Sequence, residues 1–190
     1  MNRMFVAVIP PESVIEDLDE FLSVRRDAAA FRWSTPEQLH LTLAFAEHVP
    51  ERSLDDAIER LETAAGRRTP FDLTVTGGGA FPNVAEGKVL YAGVETDAVD
   101  ELDRGAAGAR NAMAKSGVDV AGGRFRPHLT LARTGQPVEL SNWVRLFDAY
   151  RGPAWTVSSF ALVSSRLGEG PRRRPAYEVV AEFPFGPPAS

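Results

Sequence analysis

The chain has 190 residues, of which 44% are hydrophobic and 25% charged, values that fit a folded globular domain and exclude a disordered chain. It contains no cysteine, which excludes disulfides and thiolate metal sites and makes the cytoplasm the expected location. The net charge of -5 gives no general attraction to nucleic acid, so such a partner would need a local basic site.

The sequence contains no apolar segment long enough for a signal peptide or a membrane-spanning helix. The first apolar run is cut off by Pro10 and Pro11 before it reaches the length of a signal peptide. No run approaches the roughly 20 residues needed to span a bilayer. We therefore expect a protein with neither a leader nor a membrane anchor.

The first half of the chain alternates strand and helix patterns. A continuous apolar run predicts a strand over residues 4–9, and helical spacing of apolar residues predicts a helix over 14–22. Strict alternation then predicts a strand over 39–45, and a capping pattern followed by an apolar stripe predicts a helix over 53–66.

The second half repeats this arrangement with additional strands. Its predicted elements are, in order, a strand, a strand, a helix, a strand, a helix and two closing strands, over residues 71–75, 89–94, 97–117, 128–132, 140–150, 154–165 and 176–183. Between the first two strands, Gly77 to Gly79 and then Phe81-Pro82-Asn83 predict a loop. The order predicts an α+β fold, one bilobal domain over residues 1–185 in which each half has its own sheet and helices, with 186–190 as a loose tail.

One five-residue sequence, His-Leu-Thr-Leu-Ala, occurs twice, at residues 40–44 and 128–132. From average residue usage, such a repeat should arise by accident in roughly one chain in a hundred of this length. Within a strand, residues two apart project to the same face, so each histidine and the threonine after it point together while the leucines enter the core. If the two halves face one another, two imidazoles and two hydroxyls converge on one cleft.

This set of groups is what phosphodiester chemistry requires. Two imidazoles with pKa values near 6.5 allow one to act as a base while the other acts as an acid on the opposite side of phosphorus. The hydroxyls of Thr42 and Thr130 can donate to the phosphate oxygens, and Arg133, with Arg124 or Arg126, could supply positive charge.

Other residues receive more ordinary interpretations. His48 stands outside the repeat and is assigned a structural role, and Arg172 to Arg174 are assigned to a solvated hairpin turn rather than a phosphate clamp. Phe45, Phe81 and Phe125 are core or loop residues by default, although one of them could stack on a base. A metal site is not expected, because neither repeat has a carboxylate or second histidine at ligand spacing.

The duplicated motif resembles the two-histidine (2H) phosphoesterases, and within them the RNA 2′,3′-cyclic phosphodiesterases first described as bacterial 2′-5′ RNA ligases. Their signature is a pair of His-x-Thr/Ser-x tetrapeptides, matched here at residues 40–43 and 128–131. The resemblance extends to residues 4–10, Arg32-Trp33, 79–82, 125–133 and 177–180. One difference is that the family often has Lys or Arg shortly after the first motif, where this chain has Ala44-Phe45-Ala46-Glu47.

The resemblance implies a bilobal fold with pseudo-twofold symmetry and a central, metal-independent and cofactor-free site. It further implies hydrolysis of an RNA terminal 2′,3′-cyclic phosphate to a 2′-phosphate, with 2′-5′ ligation as a secondary activity. By analogy His40 is the proton donor and His128 the proton acceptor, although symmetry permits the reverse. Thr42, Thr130 and Arg133, together with Arg126, Phe45 and Phe125, would bind substrate.

Two alternatives to that activity stay open at the level of sequence. The substrate could be a small cyclic or 2′-5′-linked nucleotide rather than an RNA 3′ end, or the chain could be a nucleotide-binding module that has lost catalysis. The missing charge after the first motif motivates the second alternative. The same difference in charge between the two motifs predicts that residues 123–133 form the charged wall of the cleft and that the first motif is its neutral counterpart. A monomer is expected.

Overall fold

The structure of the chain, a computed structural model, describes residues 2–186. The last four residues of the predicted tail, 187–190, lie outside the described residues. The described part contains nine strands, β1 to β9, at Arg3–Val8, Arg32–Trp33, Leu41–Ala46, Phe71–Phe81, Gly87–Glu95, Leu129–Val138, Trp155–Val157, Ser159–Arg166 and Ala176–Pro184. Its four α-helices, α1 to α4, lie at Glu12–Ser23, Glu51–Gly66, Val99–Lys115 and Ser141–Phe147.

The strands form a curled antiparallel sheet in the order β7-β4-β5-β6-β3-β1-β8-β9, with β2 paired beside β6. We call β3, β1, β8 and β9 the His40 half, and β7, β4, β5 and β6 the His128 half. In the described residues the two halves join where Leu41 of β3 pairs with Leu129 of β6. The motif strands therefore lie side by side at the centre of the sheet.

The four helices pack on the sheet as two pairs, α2 with α3 and α1 with α4. Helices α2 and α3 pack on each other and against β9 and β3, while α4 packs on β4. Helix α1 contacts α4 through the rings of Phe21 and Phe147, whose centroids lie 5.2 Å apart. The largest cluster of buried hydrophobic side chains draws on both halves, including Leu43 and Leu90, each with 0% exposure. The predicted α+β class with two related halves is confirmed.

The loop predicted at Gly77 to Gly79 is wrong, because these residues lie within β4. Gly78 and Gly79 provide clearance, whereas Gly77 has a left-handed backbone with φ of 73° at a shift in the β4–β5 register. A Cβ at Gly78 would lie 2.7 Å from the Cβ of Phe147, and one at Gly79 would overlap the Tyr91 phenol on the neighbouring strand. The glycines thus let α4 and a tyrosine ring approach the strand closely.

The single strand predicted over residues 154–165 is also wrong in one respect. The structure has two strands separated at Ser158, where β7 pairs with β4 and β8 pairs with β1 and β9. The chain crosses there from the His128 half to the His40 half. Both segments are apolar enough to be read as strand and no glycine or proline stands between them, so the pattern alone could not locate the crossing. No helix in residues 2–186 is long and apolar enough to cross a membrane.

Candidate active site

The two motif histidines stand immediately before β3 and β6, the strands that join the halves. Leu41 and Leu129 pair across these strands and are each 1% exposed, so the alternating side chains beside them face the opposite, open side of the sheet. Extending the antiparallel register by one residue in each direction places His40 opposite Thr130 and His128 opposite Thr42. The two motifs are therefore related by a local pseudo-twofold, and all four side chains line one cleft of about 680 Å³.

His40 is held on both ring nitrogens. Its Nδ1 lies 2.7 Å from the backbone carbonyl of Gln38, and its Nε2 lies 2.9 Å from the Thr42 hydroxyl. Because a carbonyl can only accept, Nδ1 carries a proton, and in the neutral ring Nε2 accepts from Thr42. The ring stacks on Phe5 with 4.3 Å between centroids, and Tyr177 meets its edge at 5.6 Å. This packing fixes the plane of the imidazole.

His128 repeats this arrangement with different neighbours. Its Nδ1 lies 2.6 Å from the backbone carbonyl of Arg126, again two residues earlier in the chain. Phe81 and Tyr91 pack on the ring with centroids at 4.9 and 5.2 Å. Each histidine thus has a carbonyl on Nδ1 and two aromatic rings around it, which leaves Nε2 as the nitrogen not held by the backbone.

The surroundings of both histidines favour the neutral imidazole. Burial lowers the pKa of His40 to about 4, against the raising effect of the Gln38 carbonyl, and the charges of His128 and Arg133 lower it further. Burial is also the largest cause of the lowered pKa of His128; the Arg126 carbonyl opposes it and Arg133 adds to it. The chain alone therefore keeps both rings unprotonated at neutral pH.

A bulge follows each motif at the same position. In the β1–β3 pairing one extra residue of β3 stands between Thr42 and Ala44, and in the β5–β6 pairing one extra residue of β6 stands between Thr130 and Ala132. An extra residue reverses the alternation, so the next side chain to face the cleft comes three residues after each threonine. These side chains are Phe45 and Arg133, and both line the cleft.

The pseudo-symmetric counterpart of Arg133 is thus an aromatic ring, but the cleft is not neutral on that side. The guanidinium carbon of Arg3, on β1, lies 4.7 Å from the centroid of the Phe45 ring. Arg3 also pairs with Glu47 at 3.5 Å. The charge that the first motif lacks is therefore supplied by a neighbouring strand.

The prediction that residues 123–133 form the charged wall and the first motif a neutral one is wrong. Five arginines line the cleft, namely Arg3, Arg32, Arg133, Arg173 and Arg174, and no Asp or Glu of residues 2–186 joins them. Of the predicted stretch only Arg133 contributes its charge, because Arg126 is exposed and takes part through its backbone carbonyl.

The remaining predicted residues are dispersed. Phe125 packs against the core and lies 5.8 Å from the Arg110 guanidinium, outside the cleft lining. Arg124 and His48 are exposed and also outside the lining. The interpretation of residues 172–174 as a solvated turn needs correction, since Arg173 and Arg174 line the cleft.

Several residues that line the cleft were not identified from the sequence as candidate site residues. Phe5 and Arg3 come from β1, Tyr177 from β9 and Arg32 from β2, all outside the repeated pentamer. Residues 4–10, 177–180 and Arg32-Trp33 belong to the resemblance to the family, which was the one available signal for this region. Within residues 2–186, no three His, Asp or Glu side chains form a group that could hold a metal ion.

Comparison with known proteins gives a consistent result. The profile of the 2′-5′ RNA ligase superfamily matches residues 10–169. A Thermus thermophilus protein named RNA 2′,3′-cyclic phosphodiesterase is 33% identical over 184 residues, covering 95% of this chain and 89% of that protein. An Archaeoglobus fulgidus protein of the same name is 31% identical over 166 residues, covering 87% of this chain and 92% of that protein.

Solved structures share the fold. The Thermus thermophilus protein TT0787 has a TM-score of 0.79 at 30% identity, covering 98% of this chain and 100% of that one. E. coli LigT complexed with 3′-AMP has a TM-score of 0.74 at 23% identity, covering 97% and 98% of the two chains. With the superfamily match spanning most of its length and both relatives above 30% identity, the chain belongs to the 2′-5′ RNA ligase superfamily and is a two-histidine phosphoesterase, as the duplicated motif predicted.

Proposed function

We propose that this phosphoesterase hydrolyses the terminal 2′,3′-cyclic phosphate of RNA to a 2′-phosphate, without a metal ion. The observation that carries the proposal is the reciprocal placement of two His-x-Thr motifs around the Leu41–Leu129 pair, in a cleft lined by arginines. The names of the Thermus and Archaeoglobus relatives support the choice of reaction.

In the proposed reaction water attacks phosphorus opposite O3′, and the bond from phosphorus to O3′ breaks. His128 takes the proton of the water at Nε2, and His40 gives its Nε2 proton to O3′. The carbonyls of Gln38 and Arg126 hold the Nδ1 protons, so neither ring has to change tautomer. Exchange of both protons with solvent returns the pair to its starting state.

The donor role requires His40 to gain a proton that its surroundings disfavour. The cyclic phosphate carries a negative charge into the cleft, and an anion beside an imidazole favours its charged form. We therefore assign the protonation of His40 to the substrate complex rather than to the free protein. A histidine kept neutral until the substrate arrives does not repel the nearby arginines.

Negative charge that develops on the phosphate oxygens needs donors on both sides. Thr42 and Thr130 supply hydroxyls from the two motifs, that of Thr42 beside Nε2 of His40, while Arg133 and Arg3 supply charge on the His128 and His40 halves. This placement removes the motive for a binding module without catalysis, since the first motif does have a cation beside it. The predicted cytoplasmic location and monomeric state stay predictions.

The test is hydrolysis of a short RNA that ends in a 2′,3′-cyclic phosphate, with and without EDTA, followed by identification of the product isomer. We expect a 2′-phosphate at the same rate in both conditions. A 3′-phosphate would contradict the assignment of the leaving oxygen, and loss of activity in EDTA would contradict metal independence. Nucleotide binding without turnover would support the binding module instead.

A further inference from the structure

The cleft contains more positive charge than one cyclic phosphate requires. A 2′,3′-cyclic phosphate carries one negative charge, and Arg3 and Arg133 already stand beside the two motifs. Arg32, Arg173 and Arg174 add three more cations to a chain whose net charge is -5, and no carboxylate of residues 2–186 lines the cleft to offset them. Like charges gathered without counterions repel one another, so this cluster is suited to a ligand with further negative groups.

Tertiary contacts connect Arg32 both to the phosphate site and to the segment that carries Arg173 and Arg174. Arg32 on β2 is the cross-strand partner of Arg133 on β6, which places it next to the phosphate site. Its guanidinium donates to the carbonyl of Arg173 at 3.2 Å, so it connects β2 to the connection between β8 and β9. The arginine cluster of Arg32, Arg173 and Arg174 is therefore continuous with the site, but, unlike Arg133, none of its members is among the charges that lower the pKa of His40 or His128.

The connection between β8 and β9 is a tight turn that carries Arg173 and Arg174. The N–H of Gly170 donates to the carbonyl of Arg174 at 2.8 Å, which closes the turn. Arg172 and Arg173 both have left-handed backbone conformations, with φ of 54° and 60°. Such conformations are unfavourable for residues that carry a Cβ, and glycine would avoid that cost. Of the two, only Arg173 lines the cleft, and there the arginine side chain provides a reason to bear that cost.

We propose that Arg32, Arg173 and Arg174 form a second phosphate subsite that binds the phosphodiester on the 5′ side of the terminal nucleotide. The subsite makes the enzyme selective for RNA 3′ ends over free nucleoside 2′,3′-cyclic phosphates, which lack that group. This inference rests on the proposed function, because it assumes a cyclic phosphate between His40 and His128.

The experiment compares kcat/KM for a nucleoside 2′,3′-cyclic phosphate and for a dinucleotide with the same terminal group. We expect the dinucleotide to be preferred, and Arg173→Gln and Arg174→Gln each to reduce its kcat/KM about tenfold, the effect of one charge-assisted hydrogen bond. The mononucleotide should change by about twofold or less. Arg172→Gln is the matched control, since it removes the same charge from an exposed neighbour outside the cleft lining.

A second measurement changes the substrate, and its first comparison uses the wild-type protein alone. Replacing the internal phosphodiester by an uncharged methylphosphonate should lower dinucleotide kcat/KM about tenfold and make it insensitive to Arg173→Gln. ADP-ribose 1″,2″-cyclic phosphate is the third substrate in the comparison. It is a small molecule, but it carries a diphosphate in addition to the cyclic phosphate.

Each outcome is distinguishable. If neither cyclic phosphate is hydrolysed, the proposed function fails. If both are hydrolysed but the dinucleotide is not preferred, or the arginine variants reduce both equally, the second subsite is wrong. If the ADP-ribose substrate is preferred and depends on the same arginines, the cluster serves a small nucleotide, and the assignment to an RNA strand is wrong.

Discussion

At the scale of single residues, the reactive groups are set by a few short contacts. Backbone carbonyls two residues before each histidine fix its tautomer, and packed aromatic rings fix its plane. The pentamer repeat predicted His40, Thr42, His128 and Thr130 as one constellation, because it contains these side chains and their alternation. It could not predict Arg3, which belongs to a strand some 40 residues from the first motif and reaches the cleft only after the strands pair.

Arg3 provides a direct test at this scale. Arg3→Gln should lower kcat for a 2′,3′-cyclic phosphate about tenfold or more, because one cation beside the developing charge is lost. Arg133→Gln should have an effect of similar size, since the two residues serve equivalent sides of the phosphate. The measurement is steady-state kinetics together with thermal unfolding, in which Arg3→Gln should change little.

The control for Arg3 is Arg52→Gln, which removes one positive charge from an exposed position on α2 outside the cleft lining. It should leave kcat unchanged. If Arg3→Gln behaves like Arg52→Gln, the phosphate draws its charge from the His128 half alone. That outcome would restore the neutral first wall that the sequence suggested.

At the scale of elements, periodicity located the helices and strands but not their irregularities. Bulges after Thr42 and Thr130 bring Phe45 and Arg133 to the cleft, although strict alternation would turn both toward the core. A bulge depends on pairing with a neighbouring strand, so the local sequence pattern does not predict it. The loop predicted at Gly77 to Gly79 fails for a similar reason: glycine serves loops and close packing alike, and only the position of Tyr91 and Phe147 decides between them.

Gly79 tests that packing role. Gly79→Ala should force the Tyr91 ring to move, lowering stability by about 1–3 kcal/mol as in an overpacked core. Because Tyr91 packs on His128 with centroids 5.2 Å apart, activity should fall with it. The measurements are denaturant unfolding and kcat/KM.

The comparison variant is Gly135→Ala on β6, where an added Cβ would meet no atom within 4 Å and φ is not left-handed. It should leave both stability and activity close to those of the wild type. If the two variants had the same stability and activity, the absence of a side chain at Gly79 would not be needed for the packing of Tyr91.

At the scale of the whole molecule, the two halves are interleaved in the chain. The His40 half takes β1 and β3 from the beginning and β8 and β9 from the end, and the chain changes halves at Ser158. The sequence predicted two halves and the α+β class because each contains a copy of the motif. It could not assign the closing strands to a half, since their apolar patterns are alike. Folding brings five arginines to the junction of an otherwise acidic chain.

The junction also determines how activity should depend on pH. The histidine pair must take up one proton for the reaction, and kcat/KM reports the pKa values of the free protein that has to take it up. Since both pKa values lie below the ordinary 6.5, that proton is lost at a lower pH than usual. The alkaline limb of kcat/KM should therefore have its midpoint below pH 6.5, and a flat profile from pH 6 to pH 8 would contradict the assignment.

The central claim is that His40 and His128 act on one phosphate as a single acid–base pair. It is tested most directly by kcat for a 2′,3′-cyclic phosphate RNA in wild type, His40→Ala, His128→Ala and the double variant. We expect each single variant to lose about 10² to 10⁴-fold, and the double variant to be little slower than the slower single one, because a pair that works together is disabled by either loss. Near-wild-type activity in either single variant, or losses that multiply in the double variant, would contradict the account.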